Sequence, residues 1–457
     1  MGALAFAALW GAGPGGCGSS TSEPTAAGGS GGTMAGGSGG TATGGATGGS
    51  VTGGSGGSGG SATPTTGHGG ASVAGSGGSA GSGGGAAGTG GAASGGAAGT
   101  VVSGTGGRAM PGAGGAQTGG SFGSGGGGGT SSGNGLPWLS VKGNKLQDPT
   151  GKTIILRGSA LIDIGSLYWY GGQSAAGITA RMDKVAAAGV QGHVVRLPVY
   201  PKVDYNTGGG AACSPCPYPV GTGPAAGCTP TSPLSSADYV AKVLKPAVDY
   251  ATSKNLYVII DYHQIDNATS GTSAADAVTF WTDIAPRFAG ASNVLYEPFN
   301  EPIDYSAPWS TLKPVVQRLI DTIRAGAPKN IIIVPSNAWD QHPGDAASDP
   351  PSGTNLMYTA HIYPSNWNAT FQAQVATASA KAPVFISEWG FANSDPSSFG
   401  PSLQTTVNGD GASWTAWVTD NAWTPSMFAD ANLTTLTNFG MLVKSWLSAT
   451  ANSDWVQ

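Results

Sequence analysis

The sequence predicts an α/β protein, specifically a (β/α)8 TIM barrel preceded by a long disordered tether rich in Gly, Ser and Thr. From residue 136 onward, short apolar segments rich in β-branched residues alternate with segments whose apolar residues recur at helical spacing. The apolar segments number eight, which is the number of strands that closes such a barrel. The region of about 320 residues that contains them also has the usual length of one barrel domain.

The predicted strands and helices follow one another in a regular order. After the first strand, TIILRGSALI, the helix GITARMDKVAAAG ends at Gly189, a residue type common just beyond a helix. The later strands are HVVRLPVY, LYVIIDYHQ, NVLYEPFNEP, NIIIVPSNAWD, LMYTAHIYPSN, PVFISEWGFA and ASWTAWVTD. Strands that are apolar on both faces are typical of parallel strands covered by helices. The alternative, an open doubly wound sheet, lacks a Gly-rich phosphate loop after the first strand. The segment LSVKGNKLQDPTGK predicts a hairpin that covers the bottom of the barrel.

Residues 18–135 are predicted to be a disordered linker. Glu23 and Arg108 are their only charged residues, and aromatic residues are almost absent. Such a composition cannot bury enough apolar surface to offset the entropy of ordering the chain. As a flexible coil the linker would span roughly 60 Å, so we interpret it as a tether.

Residues 1–17 resemble an export signal, because a short apolar run is followed by small residues. Cys17 resembles the lipid-attachment cysteine of bacterial lipoproteins, although Pro14 replaces the usual Leu, and ordinary signal-peptidase cleavage is the alternative. The protein is therefore predicted to be exported, either extracellular or a cell-surface lipoprotein. In that environment Cys228 is expected to pair with Cys213 or Cys216.

Composition also limits the partners. The net charge is −5 without a basic cluster, which argues against nucleic acid. We predict a monomer without cofactor or metal. A metal-dependent hydrolase on this fold would need His or Asp pairs on the first strand, which offers only Asp163.

Polar residues lie where the predicted strands end. In a parallel barrel these ends meet at one face, where barrel enzymes carry out their chemistry. The candidate site residues are Arg196, His263, Asn300, Glu301, Trp339, His361, Tyr363, Glu388, Trp389 and Trp417.

The fourth predicted strand, NVLYEPFNEP, carries two glutamates. Glu297 and Glu301 have the same parity, which on one strand would direct both side chains into the barrel. We expect Glu301 at the rim, and Glu297 one layer deeper, paired with Arg196 as a supporting residue. Glu388 ends the seventh strand, on the opposite side of the barrel. Two such glutamates are the machinery of glycoside hydrolysis, and a short separation between them would give retention of configuration.

Several motifs resemble glycoside hydrolase family 5, a family of retaining (β/α)8 glycosidases. PFNEP, ISEWG, VVRLPV and HIYPSNW occur in the family's order, and the similarity covers the chain from about residue 138 onward. The resemblance implies Glu301 as acid/base and Glu388 as nucleophile. It also implies that Asn300 binds the sugar 2-hydroxyl and that Arg196 and Tyr363 orient the nucleophile. The other implied roles are sugar binding or contact with the acid/base for His263 and His361, and a floor under the sugar for Trp417.

The function predicted is an exported retaining endo-β-1,4-glycanase, with cellulose favoured as the polysaccharide substrate. The same residues would serve a β-mannanase, a xyloglucanase or a β-1,3-glucanase, because loops and indoles select the substrate. A non-catalytic carbohydrate-binding or adhesion protein is the alternative of another class. Such a protein would have no need to keep both glutamates together with Asn300, Arg196 and Tyr363.

Overall fold

The computed structural model describes residues 135–201, 214–220, 231–304 and 307–451. The predictions for residues 1–134, and those for Cys213 and Cys228, lie outside the described residues. No helix among the described residues combines the length and apolarity needed to cross a membrane.

A small antiparallel hairpin precedes the barrel, as predicted. It consists of β1 (Ser140–Lys142) and β2 (Lys145–Gln147). Leu146 of the hairpin packs in one apolar cluster with Val194, Tyr257 and Leu295, which lie at the beginnings of barrel strands. The hairpin therefore covers the amino-terminal end of the barrel.

Eight parallel strands form a closed ring, which confirms the predicted barrel and excludes the open sheet. In order around the ring they are β3 (Arg157–Ala160), β4 (Val194–Val199), β5 (Tyr257–Tyr262), β7 (Val294–Glu297), β9 (Ile332–Val334), β10 (Leu356–Ile362), β11 (Val384–Trp389) and β12 (Ser413–Ala416). Two short strands outside the ring, β6 (Ile265–Asp266) and β8 (Glu301–Pro302), pair with each other. The ring directs all eight strand ends toward one opening.

Helices cover the outside of the barrel. The described helices are α1 (Ile164–Tyr170), α2 (Ala176–Ala188), α3 (Ser236–Tyr239), a π-helical turn (Val240–Leu244), α4 (Lys245–Ser253), α5 (Ser273–Arg287), α6 (Trp309–Gly326), α7 (Asn337–Asp340), α8 (Pro343–Ser348), α9 (Ala369–Lys381), α10 (Phe399–Asp410) and α11 (Asn438–Thr450). The element α7 is a single turn with left-handed backbone at Ala338 and Trp339. Helix α2 ends at Gly189 as predicted, with φ of 79°.

Helix α10, between β11 and β12, is a finding that the sequence pattern does not predict. It contains Gly400, Pro401 and Gly409, which are poor helix formers. A Cβ at Gly400 would lie 2.4 Å from Leu442 and 2.7 Å from Phe391, so glycine allows the close packing of α10. Tertiary packing thus stabilises a helix whose own propensity is low.

Candidate active site

The carboxyl ends of the barrel strands bring most of the predicted site residues together. Arg196 lies on β4, Glu297 ends β7, His361 lies on β10 and Glu388 lies on β11. Arg196 and Glu388 are 192 positions apart in the sequence, yet they share a hydrogen bond of 2.6 Å. Distant segments of the chain therefore build one site at the opening of the barrel.

Glu301 and Glu388 face each other in this opening. One carboxylate oxygen of each residue and a ring nitrogen of His361 lie within 4.8 Å of one another. Carboxyl groups about 5–5.5 Å apart allow direct attack on a sugar, whereas about 6.5–9.5 Å leaves room for a water between them. The approach of two carboxylate oxygens to within 4.8 Å is compatible with the shorter of these separations.

The guanidinium of Arg196 is the centre of a buried charge network. Its Nε donates to Glu297 Oε2 at 2.6 Å, and its Nη1 donates to Glu388 Oε1. Its Nη2 donates to Asn300 Oδ1 at 2.5 Å and lies 3.0 Å from Asp261 Oδ2. The contact of Arg196 with Glu297 is the one predicted from the residues, and its contact with Glu388 is the one that the resemblance implies. Because Arg196 and three of its partners have no solvent exposure, water cannot replace these contacts.

Glu388 is held in its ionised form. Besides the bond from Arg196, it accepts a hydrogen bond of 2.8 Å from the Tyr363 hydroxyl at Oε2. Burial alone would raise the pKa of Glu388, but the positive charges of His361 and Arg196 and the Tyr363 hydroxyl lower it below its ordinary value. An ionised carboxylate is what a nucleophile requires.

His361 lies between the acids of the site. Its Nδ1 is 2.8 Å from Glu301 Oε1, and its Nε2 is 2.9 Å from the Ser387 hydroxyl. Burial alone would lower the pKa of His361, but Glu388, Glu297 and Glu301 raise it well above its ordinary value. The structure thus places His361 against Glu301, one of the two locations that the resemblance implies.

His263 and Trp417 form a stacked wall of the opening. The two rings are 5.3 Å apart and nearly parallel, and Tyr200 stacks on the other side of His263 at 4.5 Å. The Nδ1 of His263 is bonded to Asp261 at 2.6 Å, and the Arg196 guanidinium lies 5.9 Å from the Trp417 ring centre. Trp417 is therefore at the site, although only 1% of it is exposed. Its role as a floor under the sugar stays a prediction.

Glu301 does not lie on the same strand as Glu297, contrary to the prediction. The barrel strand β7 ends at Glu297, and Glu301 belongs to the separate strand β8, which pairs with β6. The two glutamates are therefore not on one continuous strand. Glu301 reaches the site because the chain turns after Glu297.

Trp389 packs in the core, contrary to its prediction as a substrate-binding residue. Its ring packs against Trp414, Phe439 and Trp446 at centroid distances of 5.5, 5.2 and 5.3 Å, and it is 1% exposed. Neighbouring residues on a strand point to opposite faces, so Glu388 pointing inward directs Trp389 outward toward α11. We therefore assign Trp389 to the core between the sheet and the helices rather than to substrate binding.

Replacing Trp389 with alanine is expected to lower the free energy of unfolding by about 3–5 kcal/mol, because it removes a buried aromatic ring. Urea denaturation followed by fluorescence would measure this loss. The matched variant is Trp423→Ala, since Trp423 is half-buried and lies 6.3 Å from Trp417. That variant is expected to change KM for a soluble glycan with little effect on stability. A reversed pattern between the two variants would contradict the assignment.

Trp339 lies half-buried in the left-handed turn α7, directly beyond β9. It follows β9 near the rim of the barrel. Its role in substrate binding stays a prediction.

Three polar residues of the site are not among the sequence candidates. Asp261, Asp340 and Ser387 are each fully buried and lie within hydrogen-bonding or ion-pair distance of Arg196 or His361. Asp261 stands in the apolar strand β5 two residues before His263, and this buried acid was the available signal. Ser387 and Asp340 carry no comparable signal, because Ser and Asp are common near strand ends.

Asp163 and Cys216 lie together beyond the first barrel strand. Asp163 caps α1 by accepting the backbone N–H groups of Gly165 and Ser166, and it accepts the Ser214 hydroxyl at 2.6 Å. Asp163, the residue considered as a metal ligand, is thus hydrogen-bonded to donors of the chain itself. Cys216 is buried, and burial raises the pKa of its thiol to about 12. Cys216 is one of the two alternative partners predicted for Cys228, and this pairing stays a prediction.

A closed parallel barrel with two facing acids at its carboxyl end is the architecture of the (β/α)8 glycosidases. The family model described as cellulase, glycosyl hydrolase family 5, matches residues 147–423, about three fifths of the chain. The chain therefore belongs to glycosyl hydrolase family 5.

Individual relatives are similar over shorter stretches. An endoglucanase of Clostridium saccharobutylicum is 31% identical over 194 residues, which are 41% of this chain and 42% of that protein. Endoglucanase 5 of Pectobacterium carotovorum subsp. carotovorum is 33% identical over 185 residues, 39% of this chain and 36% of that protein. The matches thus span about two fifths of these relatives' length.

A solved structure shares the fold. The β-glucanase of Saccharophagus degradans in complex with cellotetraose superposes with a TM-score of 0.54 at 22% identity, covering 68% of this chain and 93% of that chain.

Proposed function

We propose that the protein is an exported, retaining endo-β-1,4-glucanase that hydrolyses a β-glucan polymer with Glu301 as acid/base and Glu388 as nucleophile. The observation that carries the proposal is the approach of the two carboxylates to within 4.8 Å, with Glu388 kept ionised by its neighbours. Export is supported by the sequence of residues 1–17.

In the first step, a Glu388 oxygen attacks the anomeric carbon and forms a covalent glycosyl ester. The bond from that carbon to the leaving oxygen breaks, and the leaving oxygen takes the proton of Glu301. Arg196 and Tyr363 fix the attacking carboxylate, because each donates to a different oxygen of Glu388. Holding the nucleophile in this way lowers the entropic cost of reaching the transition state.

In the second step, Glu301 is a carboxylate and accepts a proton from water. The water oxygen attacks the anomeric carbon from the side that the leaving group vacated, and Glu388 departs as a carboxylate. Two inversions give net retention, and the atoms and charges of the site return to their starting state.

Asn300 is arranged to hold the sugar next to the reacting carbon. Its Oδ1 accepts from Arg196, which leaves Nδ2 as the donor of the side chain. That Nδ2 is buried and has no hydrogen-bond partner among the described residues. A donor in this position supports the implied bond to the sugar 2-hydroxyl, a contact that strengthens in the transition state.

A β-1,4-glucan is the substrate that the comparisons favour. The relatives are named endoglucanases, and the solved neighbour is a β-glucanase bound to cellotetraose. Mannan, xyloglucan and β-1,3-glucan are the alternative substrates against which the proposal is tested.

The test is hydrolysis by the full chain of carboxymethyl-cellulose, mannan, xyloglucan and β-1,3-glucan, with products identified by proton NMR. We expect the highest kcat/KM on carboxymethyl-cellulose and a newly formed reducing end that is first β and then equilibrates. A first product in the α configuration would refute the retaining mechanism, and a preference for mannan would refute the substrate. No hydrolysis of any of the four polymers would favour the binding-protein alternative.

A further inference from the structure

We propose that Ser387 is a positioning residue that fixes the tautomer of His361, so that Glu301 and His361 hold one shared proton between them. This proton is the one delivered to the leaving group. The inference deepens the proposed function, since it rests on Glu301 acting as the acid.

The Ser387 hydroxyl lies among three polar partners. Its Oγ is 2.6 Å from Glu297 Oε1 and 2.9 Å from His361 Nε2, and it also contacts the Thr359 hydroxyl. Ser387, Glu297 and Thr359 have no solvent exposure, and His361 is 1% exposed. The direction of each hydrogen bond is therefore decided by these groups alone.

The protons available to these groups fix the direction of each hydrogen bond. Glu297 accepts from Arg196 at one oxygen, and although burial would raise its pKa, Arg196 and His361 lower it to about 2. Glu297 is thus a carboxylate that can only accept, so the single proton of the Ser387 hydroxyl points to it. Ser387 can then only accept from His361, and Nε2 of the imidazole must carry a proton.

A proton fixed on Nε2 constrains the contact that the opposite ring nitrogen, Nδ1, makes with Glu301. Nδ1 of His361 faces Glu301 Oε1 at 2.8 Å, a distance that accommodates one proton. If that proton is lost while Nε2 keeps its own, two lone pairs face each other without a donor. This arrangement is unfavourable, so the contact between His361 and Glu301 keeps its proton. After the first step the same mismatch favours capture of a proton from the attacking water.

Other charged groups that face the ring act mainly in the same direction. Glu297 Oε1 lies 3.7 Å from Nε2, and as a carboxylate it attracts a proton to that nitrogen. Asp340 Oδ2 lies 3.6 Å from Nε2, but burial holds the pKa of Asp340 well above its usual range. Glu388 Oε2 lies 3.7 Å from Nδ1, but Tyr363 already donates to this oxygen. Ser387 is the group that bonds Nε2 directly.

The first test compares the pH dependence of kcat/KM for the wild-type protein and Ser387→Ala. In the variant His361 can lose its Nε2 proton instead. The neutral ring then donates from Nδ1 to the Glu301 carboxylate, so the protonated form of the pair, which is the acid, disappears at lower pH. We expect the alkaline limb to move down by about one pH unit, while the acidic limb, set by Glu388, stays in place. Ser387→Thr keeps the hydroxyl and should restore the alkaline limb. Thr359→Val, which removes another partner of Ser387, should keep the wild-type profile. An unchanged alkaline limb in Ser387→Ala would overturn the proposal.

The second test observes the tautomer without using activity. The full wild-type chain is labelled with 15N-histidine, and comparison with the equally labelled His361→Asn variant identifies the His361 signals. We expect Nε2 to stay protonated across the titration and only Nδ1 to change. Loss of the Nε2 proton first would refute the role of Ser387, even in a protein that hydrolyses β-glucan. Absence of hydrolysis combined with the expected tautomer would instead refute the proposed function. The measurement also stands if Ser387→Ala fails to fold.

Discussion

The Glu388→Ala variant is expected to lose hydrolysis of β-glucan by a factor on the order of 10⁴–10⁶, the loss seen when a covalent nucleophile is removed. The glycosyl ester cannot form without this carboxylate, and the partners Arg196 and Tyr363 are left without their acceptor. Initial rates on carboxymethyl-cellulose, with circular dichroism to confirm folding, would measure the effect. Activity retained within tenfold of wild type would contradict the assignment.

A small anion distinguishes the two glutamates. In Glu388→Ala, azide can occupy the space of the lost carboxylate and attack an activated β-glycoside, giving a glycosyl azide of inverted configuration. In the matched variant Glu301→Ala, azide attacks the covalent intermediate on Glu388 and the product keeps its configuration. The opposite pairing of variants and products would exchange the two roles.

The Arg196→Met variant is expected to lower the free energy of unfolding by about 3–5 kcal/mol, because it leaves buried carboxylates without their cation. Glu297, Asp261 and Glu388 all lie within 3.0 Å of this guanidinium. Activity should fall as well, since the nucleophile loses a donor. Urea denaturation at several pH values would measure the change in stability.

The pH dependence of this loss follows from the lowered pKa values. The pKa of Glu297 falls from 4.5 to about 2 on folding, so its ionised form stabilises the fold fully above about pH 4.5. That contribution disappears as the pH falls toward 2. The difference in stability between wild type and Arg196→Met should therefore be largest above pH 4.5 and should shrink in acid.

The control is Arg287→Met, since Arg287 forms a partly exposed ion pair with Asp283 on α5. This pair is expected to contribute at most about 1 kcal/mol. Equal effects of the two substitutions would show that the buried network has no special part in stability.

Much of the fold could be predicted because the apolar pattern of each barrel strand is visible within its own short segment of sequence. Strands such as HVVRLPVY and LYVIIDYHQ are apolar on both faces, and the polar residues at their ends mark the opening. The contact between Arg196 and Glu297 could also be predicted, since a buried carboxylate needs a cation. These inferences need only one strand or one pair of residues.

The remainder depends on tertiary structure. Where β7 ends determines which face Glu301 reaches, and that end is set by pairing with neighbouring strands. The outward direction of Trp389 follows from parity, but only once Glu388 is known to point inward. Ser387 could not be identified in advance, because its importance comes from three side chains on other strands.

The contacts of Arg196 also bear on how the barrel folds. Its one side chain joins groups borne on or next to β4, β5, β7 and β11, which include neighbours and opposite members of the ring. A half-wound ring would leave this cation and its anions solvated and apart. The charge network around the nucleophile therefore exists only when the ring is closed.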